Sequence, residues 1–198
     1  MAKKTEKLLS RLQVSYQTET EPAKQDKLWQ IRELAAFVAA QPQNGSKAVP
    51  FIEDGVVPLD RFREYMEGVY AIFERNGLQA MAWGHAGNGN LHFEPYLNLN
   101  QVGDRQKLFK LLNEYYGLVL SLGGSLSGEH GDGRIRGPFL PHMYKPEVYE
   151  LMQRVKQIFD PYNLLNPGVK INANIEDVKS SMRDQYNLDR FMHHLPRS

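Results

Sequence analysis

Four side chains able to bind a metal and move a proton sit in two glycine-rich segments. The first reads Gly84-His85-Ala86-Gly87-Asn88-Gly89-Asn90-Leu91-His92, with its two imidazoles seven residues apart. That spacing is too long for one helical turn, so a tight reversal between strands is needed to bring the rings together. Neutral imidazole suits Zn, Fe, Ni or Cu, and also Mn where carboxylates share the site. The second segment reads Ser125-Leu126-Ser127-Gly128-Glu129-His130-Gly131-Asp132-Gly133-Arg134. Adjacent residues of a regular strand point to opposite faces. Between glycines they need not, so Glu129 and His130 can address one site. His85, His92 and Glu129 then form a three-ligand set that leaves coordination positions open, the mark of a catalytic metal. His130 is left over as a general base, because imidazole titrates near neutral pH. The plainer alternative is a hairpin whose histidines merely pack or hydrogen-bond, followed by an ordinary surface loop.

The elements that must position these groups are readable from periodicity. Residues 4–17 place Leu8, Leu9 and Leu12 on one helical stripe, and 18–24, with Pro22, read as a linker. Residues 25–40 predict a stronger helix, with Leu28, Ile31, Leu34, Ala35 and Val38 at helical spacing. Lys47–Glu53 reads as a strand that Pro50 demotes toward an edge or a bulge. Residues 59–76 predict an amphipathic helix with Phe62, Met66, Val69, Tyr70 and Phe73 inward, capped by Gly77. Leu78–Trp83 and Leu91–Leu97 read as strands flanking the first glycine loop. A long helix is expected over 104–122, stopped by Gly123-Gly124, and another from Pro146 to Ile158 or Phe159. Aromatics at helical spacing, among them Phe62, Tyr70, Phe109 and Tyr116, read as core. Helices and strands in this order predict an α+β fold with helices packed on a sheet.

Composition narrows the function. The chain has 198 residues, a formal charge of +1 and no cysteine. Near-neutral charge argues against a nucleic-acid-binding surface. The absence of cysteine excludes disulfides, thiolate zinc sites and iron–sulfur ligation within these residues. No window approaches the roughly 20 apolar residues of a membrane span. Met1-Ala2-Lys3-Lys4 leads into a charged amphipathic stretch rather than a secretory signal, so a cytoplasmic setting is expected. His193-His194, in a polar tail, reads as solvated.

The motifs GHAGNGNLH and SGEHGDG, followed by DPYNLLNPG, resemble the C-terminal cap domain of FAD-linked oxidases. These are flavoenzymes of the D-lactate dehydrogenase, glycolate oxidase and D-2-hydroxyglutarate dehydrogenase type. The similarity runs from about Leu28 to Ile171, and the GEHGDGRIR wording is most similar to long bacterial members that fuse the flavin module to an iron–sulfur module. The resemblance implies a ferredoxin-like antiparallel sheet with helices packed on it, here an incomplete cap domain. It implies His85, His92 and Glu129 as ligands of a divalent metal (Zn, Mn or Fe) and His130 as the proton-abstracting base. It further implies Asn166 at the flavin and Arg32 and Lys47 as contacts to the substrate carboxylate. The implied reaction takes a 2-hydroxy acid to a 2-oxo acid, with hydride passing to FAD.

Two departures qualify the resemblance. Asn88 stands where the family usually has Asp, and Val169 precedes Lys170 where the family more often has Lys directly. The expected layout is an N-terminal helix and linker (1–23), the cap domain (24–171) and a polar tail (172–198). No FAD-binding domain is readable in these residues. The chain is therefore expected to need one in cis or in trans, with an iron–sulfur module as a further partner, and to be inactive alone. The alternative is a non-catalytic metal- or partner-binding module with the same fold.

Overall fold

The apolar spacing in the middle of the chain produces the two helices that build the core. Helix α3 (Phe62–Arg75) buries Tyr65, Val69, Ile72 and Phe73, and α4 (Val102–Ser121) buries Leu108, Leu111, Leu112, Tyr115, Tyr116 and Val119. Both stripes repeat at helical spacing, and both pack with Ile52, Leu91, Phe93 and Leu97 of a sheet. Two phenols lock this interface. The Tyr115 hydroxyl lies 2.7 Å from that of Tyr65 and accepts the Gly55 N–H at 3.1 Å.

The computed structural model describes residues 2–39, 41 and 45–182, in two units, 1–41 and 42–198. The first unit contains α1 (Ala2–Arg11) and α2 (Pro22–Ala39). The expected helix over 4–17 stops at Arg11, because Gln13 takes a left-handed φ of 55°. On α2 the expected inward residues Leu28, Ile31 and Leu34 are exposed.

The second unit carries the sheet. Strand β4 (Asn90–Leu97) is its spine, paired antiparallel on one side with β3 (Ala80–His85). Along the other side run β1 (Lys47–Ala48) and then β2 (Ile52–Val56). These two are one interrupted strand: Lys47 pairs with Leu97, Ala48 with Tyr96 and Ile52 with Phe93. The break falls at Pro50, and pairing then continues past the expected end at Glu53 as far as Val56. A register shift between Ile52 and Gly55 marks a bulge at Glu53-Asp54.

On the far side of β2, Val56 and Ser125 exchange both backbone hydrogen bonds, at 2.9 and 2.8 Å. The spatial order is therefore Ser125, β2, β4, β3, and the chain order is strand, α3, strand, strand, α4, residual strand. That is the ferredoxin-like arrangement, with its fourth strand reduced to a single bridge. Beyond it lie α5 (Gly133–Arg136), α6 (Leu140–Met143), α7 (Pro146–Phe159) and α8 (Ile175–Ser180). The short α5 and α6 have no sequence expectation behind them.

One further expectation on side-chain placement needs correction. Tyr70 on α3 is exposed, because the buried stripe passes through Val69 and Phe73 instead. Phe62 and Phe109 are partly buried and pack against the core, and Tyr116 is fully buried, in keeping with the expectation. Tyr115 is fully buried as well. His193-His194 lies outside the described residues.

Candidate active site

The first glycine segment is a β-hairpin. Strand β3 runs into a single 3₁₀ turn (Ala86–Asn88), Gly89 takes a φ of 75°, and β4 returns. His85 stands opposite Asn90 and Trp83 opposite His92, so both histidines lie on the same sheet face. The other face of β4, through Leu91 and Phe93, belongs to the helices.

The second segment leaves the Ser125 bridge and folds over the histidine face. Glu129 Oε1 lies 2.8 Å from His92 Nε2, 3.3 Å from His85 Nδ1 and 3.9 Å from His130 Nε2. One carboxylate oxygen thus stands at the meeting point of three imidazoles. His130 stacks on His92, with ring centroids 4.4 Å apart and planes 8° from parallel. On the other side of the stack, Glu53 Oε2 accepts from His130 Nδ1 at 2.9 Å. It also lies 3.3 Å from His92 Nδ1, without the alignment of a hydrogen bond.

The residues fit a divalent cation. His92 is 1% exposed, and its buried Nδ1 has no hydrogen-bond partner. Glu53, Asp54, Glu94 and Glu129 bring four carboxyl groups to one neighbourhood, answered by the buried Arg136. Donor atoms of His92, Glu129, His130 and Asp54 all lie within 4.8 Å of one another. Imidazole nitrogens with carboxylates are the donor set of Zn, Mn or Fe sites.

The local electrostatics lower the pKa of Glu129 and raise that of His130. The hydrogen bond from His92 holds the Glu129 carboxyl below the usual range, helped by the nearby imidazoles. The hydrogen bond to Glu53 raises the His130 imidazole above its ordinary 6.5, partial burial opposes this, and the charges of Glu53, Asp54 and Glu129 add to it. Burial, first of all, raises the Glu94 carboxyl. A folded-state pKa above the unfolded one means that the Glu53–His130 pair stabilises the fold fully below pH 6.5. That contribution is lost as pH rises through the raised value. In metal-free protein, the urea midpoint is accordingly expected to fall as pH rises above about 6.5. Glu53→Gln should flatten that slope; an unchanged slope would remove Glu53 as its cause.

The sequence matches the family described as FAD linked oxidases, C-terminal domain, over residues 1–169. The chain belongs to that family. This FAD-linked oxidase C-terminal domain is 31% identical over 156 residues to the D-2-hydroxyglutarate dehydrogenase of Haemophilus influenzae, covering 78% of the chain and 15% of the relative. It is 38% identical over 122 residues to the D-lactate dehydrogenase of Archaeoglobus fulgidus, covering 62% and 27%. It is 30% identical over 122 residues to the glycolate oxidase subunit GlcD of Bacillus subtilis, covering 62% and 26%. The chain thus spans between 15% and 27% of the length of these relatives.

Within the second unit, not every expected site residue of the FAD-linked oxidase domain joins the cluster. His85, His92, Glu129 and His130 come together. Lys47 pairs with Leu97, five residues along β4 from His92 and roughly 16 Å away at strand rise. Arg32 is exposed on α2, in the first unit. Asn166 is exposed, with a φ of 47°, in a turn shaped by Asp160. The Asp160 carboxylate accepts the N–H groups of Leu164 and Leu165 at 2.8 and 2.9 Å and pairs with Lys156. Beside Asn166, Ile158, Phe159, Tyr162, Leu164 and Leu165 expose between 64% and 82% of their surface.

Several residues at the site escaped the sequence reading, among them Glu53, Asp54, Glu94 and Arg136. Arg136 reaches Glu53 at 3.4 Å and Asp54 at 3.7 Å, and its guanidinium donates to the Gly131 carbonyl. The available signal was an acidic dipeptide, Glu53-Asp54, inside a strand pattern, where Asp is disfavoured.

Proposed function

We propose that this domain is the metal- and substrate-holding part of an FAD-dependent 2-hydroxy-acid dehydrogenase. His85, His92 and Glu129 are its ligands for Zn, Mn or Fe, and His130 is its base. The convergence of His85 and His92 on one oxygen of Glu129, with His130 stacked alongside, carries this reading. The metal supplies Lewis acidity, which lowers the pKa of a bound hydroxyl. FAD supplies the hydride acceptor for the C2–H bond of the 2-hydroxy acid.

The chain's own residues do the proton work. Glu53 engages His130 at Nδ1, which leaves the Nε2 lone pair of the neutral imidazole to take the substrate hydroxyl proton. The stack on His92 fixes the ring plane, so that proton is removed along one direction. Arg32 is assigned to the substrate carboxylate, since a planar guanidinium pairs bidentately with carboxylate, and Lys47 to a second basic contact with the substrate. Asn166 is assigned to the flavin side, which the exposed apolar surface around it supports. An FAD-binding domain, in cis or in trans, and an iron–sulfur module complete the assembly. The domain has no cysteine of its own for a cluster. No helix among the described residues is long and apolar enough to cross a membrane, and the setting assigned is cytoplasmic.

The test joins this chain to an FAD-binding domain, fused or mixed, and follows flavin absorbance without oxygen. Bleaching on addition of D-lactate or D-2-hydroxyglutarate is the expected result. Flavin that stays oxidised with every 2-hydroxy acid tried, while metal and flavin are both bound, overturns the reading.

A further inference from the structure

The segment Gly128–His130 should be an unpaired loop, because the fourth strand of the sheet ends at Ser125. It is nevertheless held. The Gly128 N–H donates to the Asp54 carbonyl at 2.8 Å, continuing the ladder one step past the Val56–Ser125 bridge. There the backbone ladder stops and a side chain takes over. The N–H of Glu129 donates to Asp54 Oδ1, and the N–H of His130 donates to Oδ2, each at 2.9 Å. The Asn90 amide donates to Oδ1 at 3.3 Å, and Arg136 Nη2 lies 3.7 Å from Oδ2.

Asp54 is fully buried and adopts a φ of 70°. Left-handed backbone at a residue other than glycine is a cost that persists only where surrounding contacts impose it. The bulge at Glu53-Asp54 is what requires it. In a regular strand the two carboxylates would point to opposite faces. The bulge turns both toward the loop, one onto the His130 side chain and the other onto the loop's backbone.

The geometry points to Asp54 as a positioning residue, whose buried carboxylate replaces the missing strand ladder and sets the places of Glu129 and His130. Its oxygens also lie near the ligand atoms of His92, Glu129 and His130, which makes it a rival candidate for direct metal binding. Its bonding argues against that role. Each oxygen already accepts a backbone N–H, and each has a second donor or cation beside it. A carboxylate so committed holds the ligands; it does not need to be one.

The left-handed φ supplies variants that spare the backbone. Glycine populates this region freely and asparagine is enriched there, so neither Asp54→Gly nor Asp54→Asn adds backbone strain. Asparagine keeps one acceptor and turns the other into a donor facing an N–H; glycine removes both. Two readouts separate the possibilities. Amide exchange by NMR, on the full metal-free chain, is expected to quicken on the order of tenfold at both Glu129 and His130 in Asp54→Gly. In Asp54→Asn it should quicken at one of the two. Amides of α4 should keep their protection in both variants.

Zn²⁺ titration of the same proteins is expected to show weakening of about 10- to 100-fold, the usual effect of losing a group that orients ligands. Glycine should weaken binding more than asparagine. This second readout rests on the metal function proposed above. Faster exchange confined to Glu129 and His130, in a chain that binds no Zn²⁺ even as wild type, would refute that function while supporting the positioning role. Unchanged exchange at both amides overturns the positioning role. So does a uniform loss of protection that includes α4, which would make Asp54 a support of the whole fold.

Discussion

Glu129→Ala is expected to abolish retention of a divalent metal by the full chain. The proposed ligands meet at Glu129: His92 Nε2 is 2.8 Å and His85 Nδ1 is 3.3 Å from the same carboxylate oxygen. Removing that oxygen leaves two imidazoles and no anionic donor between them. Losing a group that only orients ligands costs about 10- to 100-fold in affinity, and losing a ligand costs more. His85→Ala should also lose metal, but less damagingly, because His85 is half exposed while His92 and Glu129 remain in contact. The measurement is elemental analysis of each protein after loading with Zn²⁺ or Mn²⁺ and dialysis. Full metal content in both variants would show that the ligand set is wrong. The fold should persist in both, because neither side chain belongs to the core between the sheet and the helices.

The largest effect on stability is expected at Gly89. It closes the hairpin that carries His85 and His92, with a φ of 75°. Its carbonyl accepts the Val57 N–H at 3.1 Å, which ties the turn to the end of β2. A methyl group at this position would be driven into the Val57 carbonyl oxygen, a backbone atom that cannot rotate away. Left-handed strain adds about 1–2 kcal/mol for a residue with a Cβ, and overpacking typically adds 1–3. Gly89→Ala is therefore expected to destabilise the unit by about 2–5 kcal/mol. In a domain of this size that lowers Tm by roughly 5–15 °C. Gly87→Ala is the control, since nothing lies within 4 Å of its added methyl. Equal midpoints for the two variants in urea or thermal melts would refute the steric account.

The parts of the fold that were legible in the sequence are those with a regular period. Helices α3, α4 and α7 announce themselves through apolar repeats and proline or glycine ends, and the hairpin through alternation around a glycine loop. The four residues that meet at the site were legible because Glu-His between glycines has no packing purpose. What was hidden depends on broken periods. The bulge at Glu53-Asp54 hides two acidic residues from any strand template, since it changes which face each residue serves. The fourth strand survives as one bridge at Ser125, too short to leave an alternating pattern. Tyr70 shows the opposite failure: it fits an apolar helical stripe by type, yet the stripe is already filled by Val69 and Phe73 and solvent takes the phenol.

The division of β4 between helices and site has a consequence for how this chain tolerates change. Along eight residues, Leu91, Phe93 and Leu97 answer to the core, while Asn90, His92 and Glu94 answer to the site. Folding and chemistry are thus written on odd and even positions of the same strand. A saturation scan scored for abundance should be intolerant at odd numbers, and the same scan scored for metal retention should be intolerant at even ones. The two constraints interleave without competing, so side chains on one side of the strand can change while the scaffold stays under unchanged selection on the other.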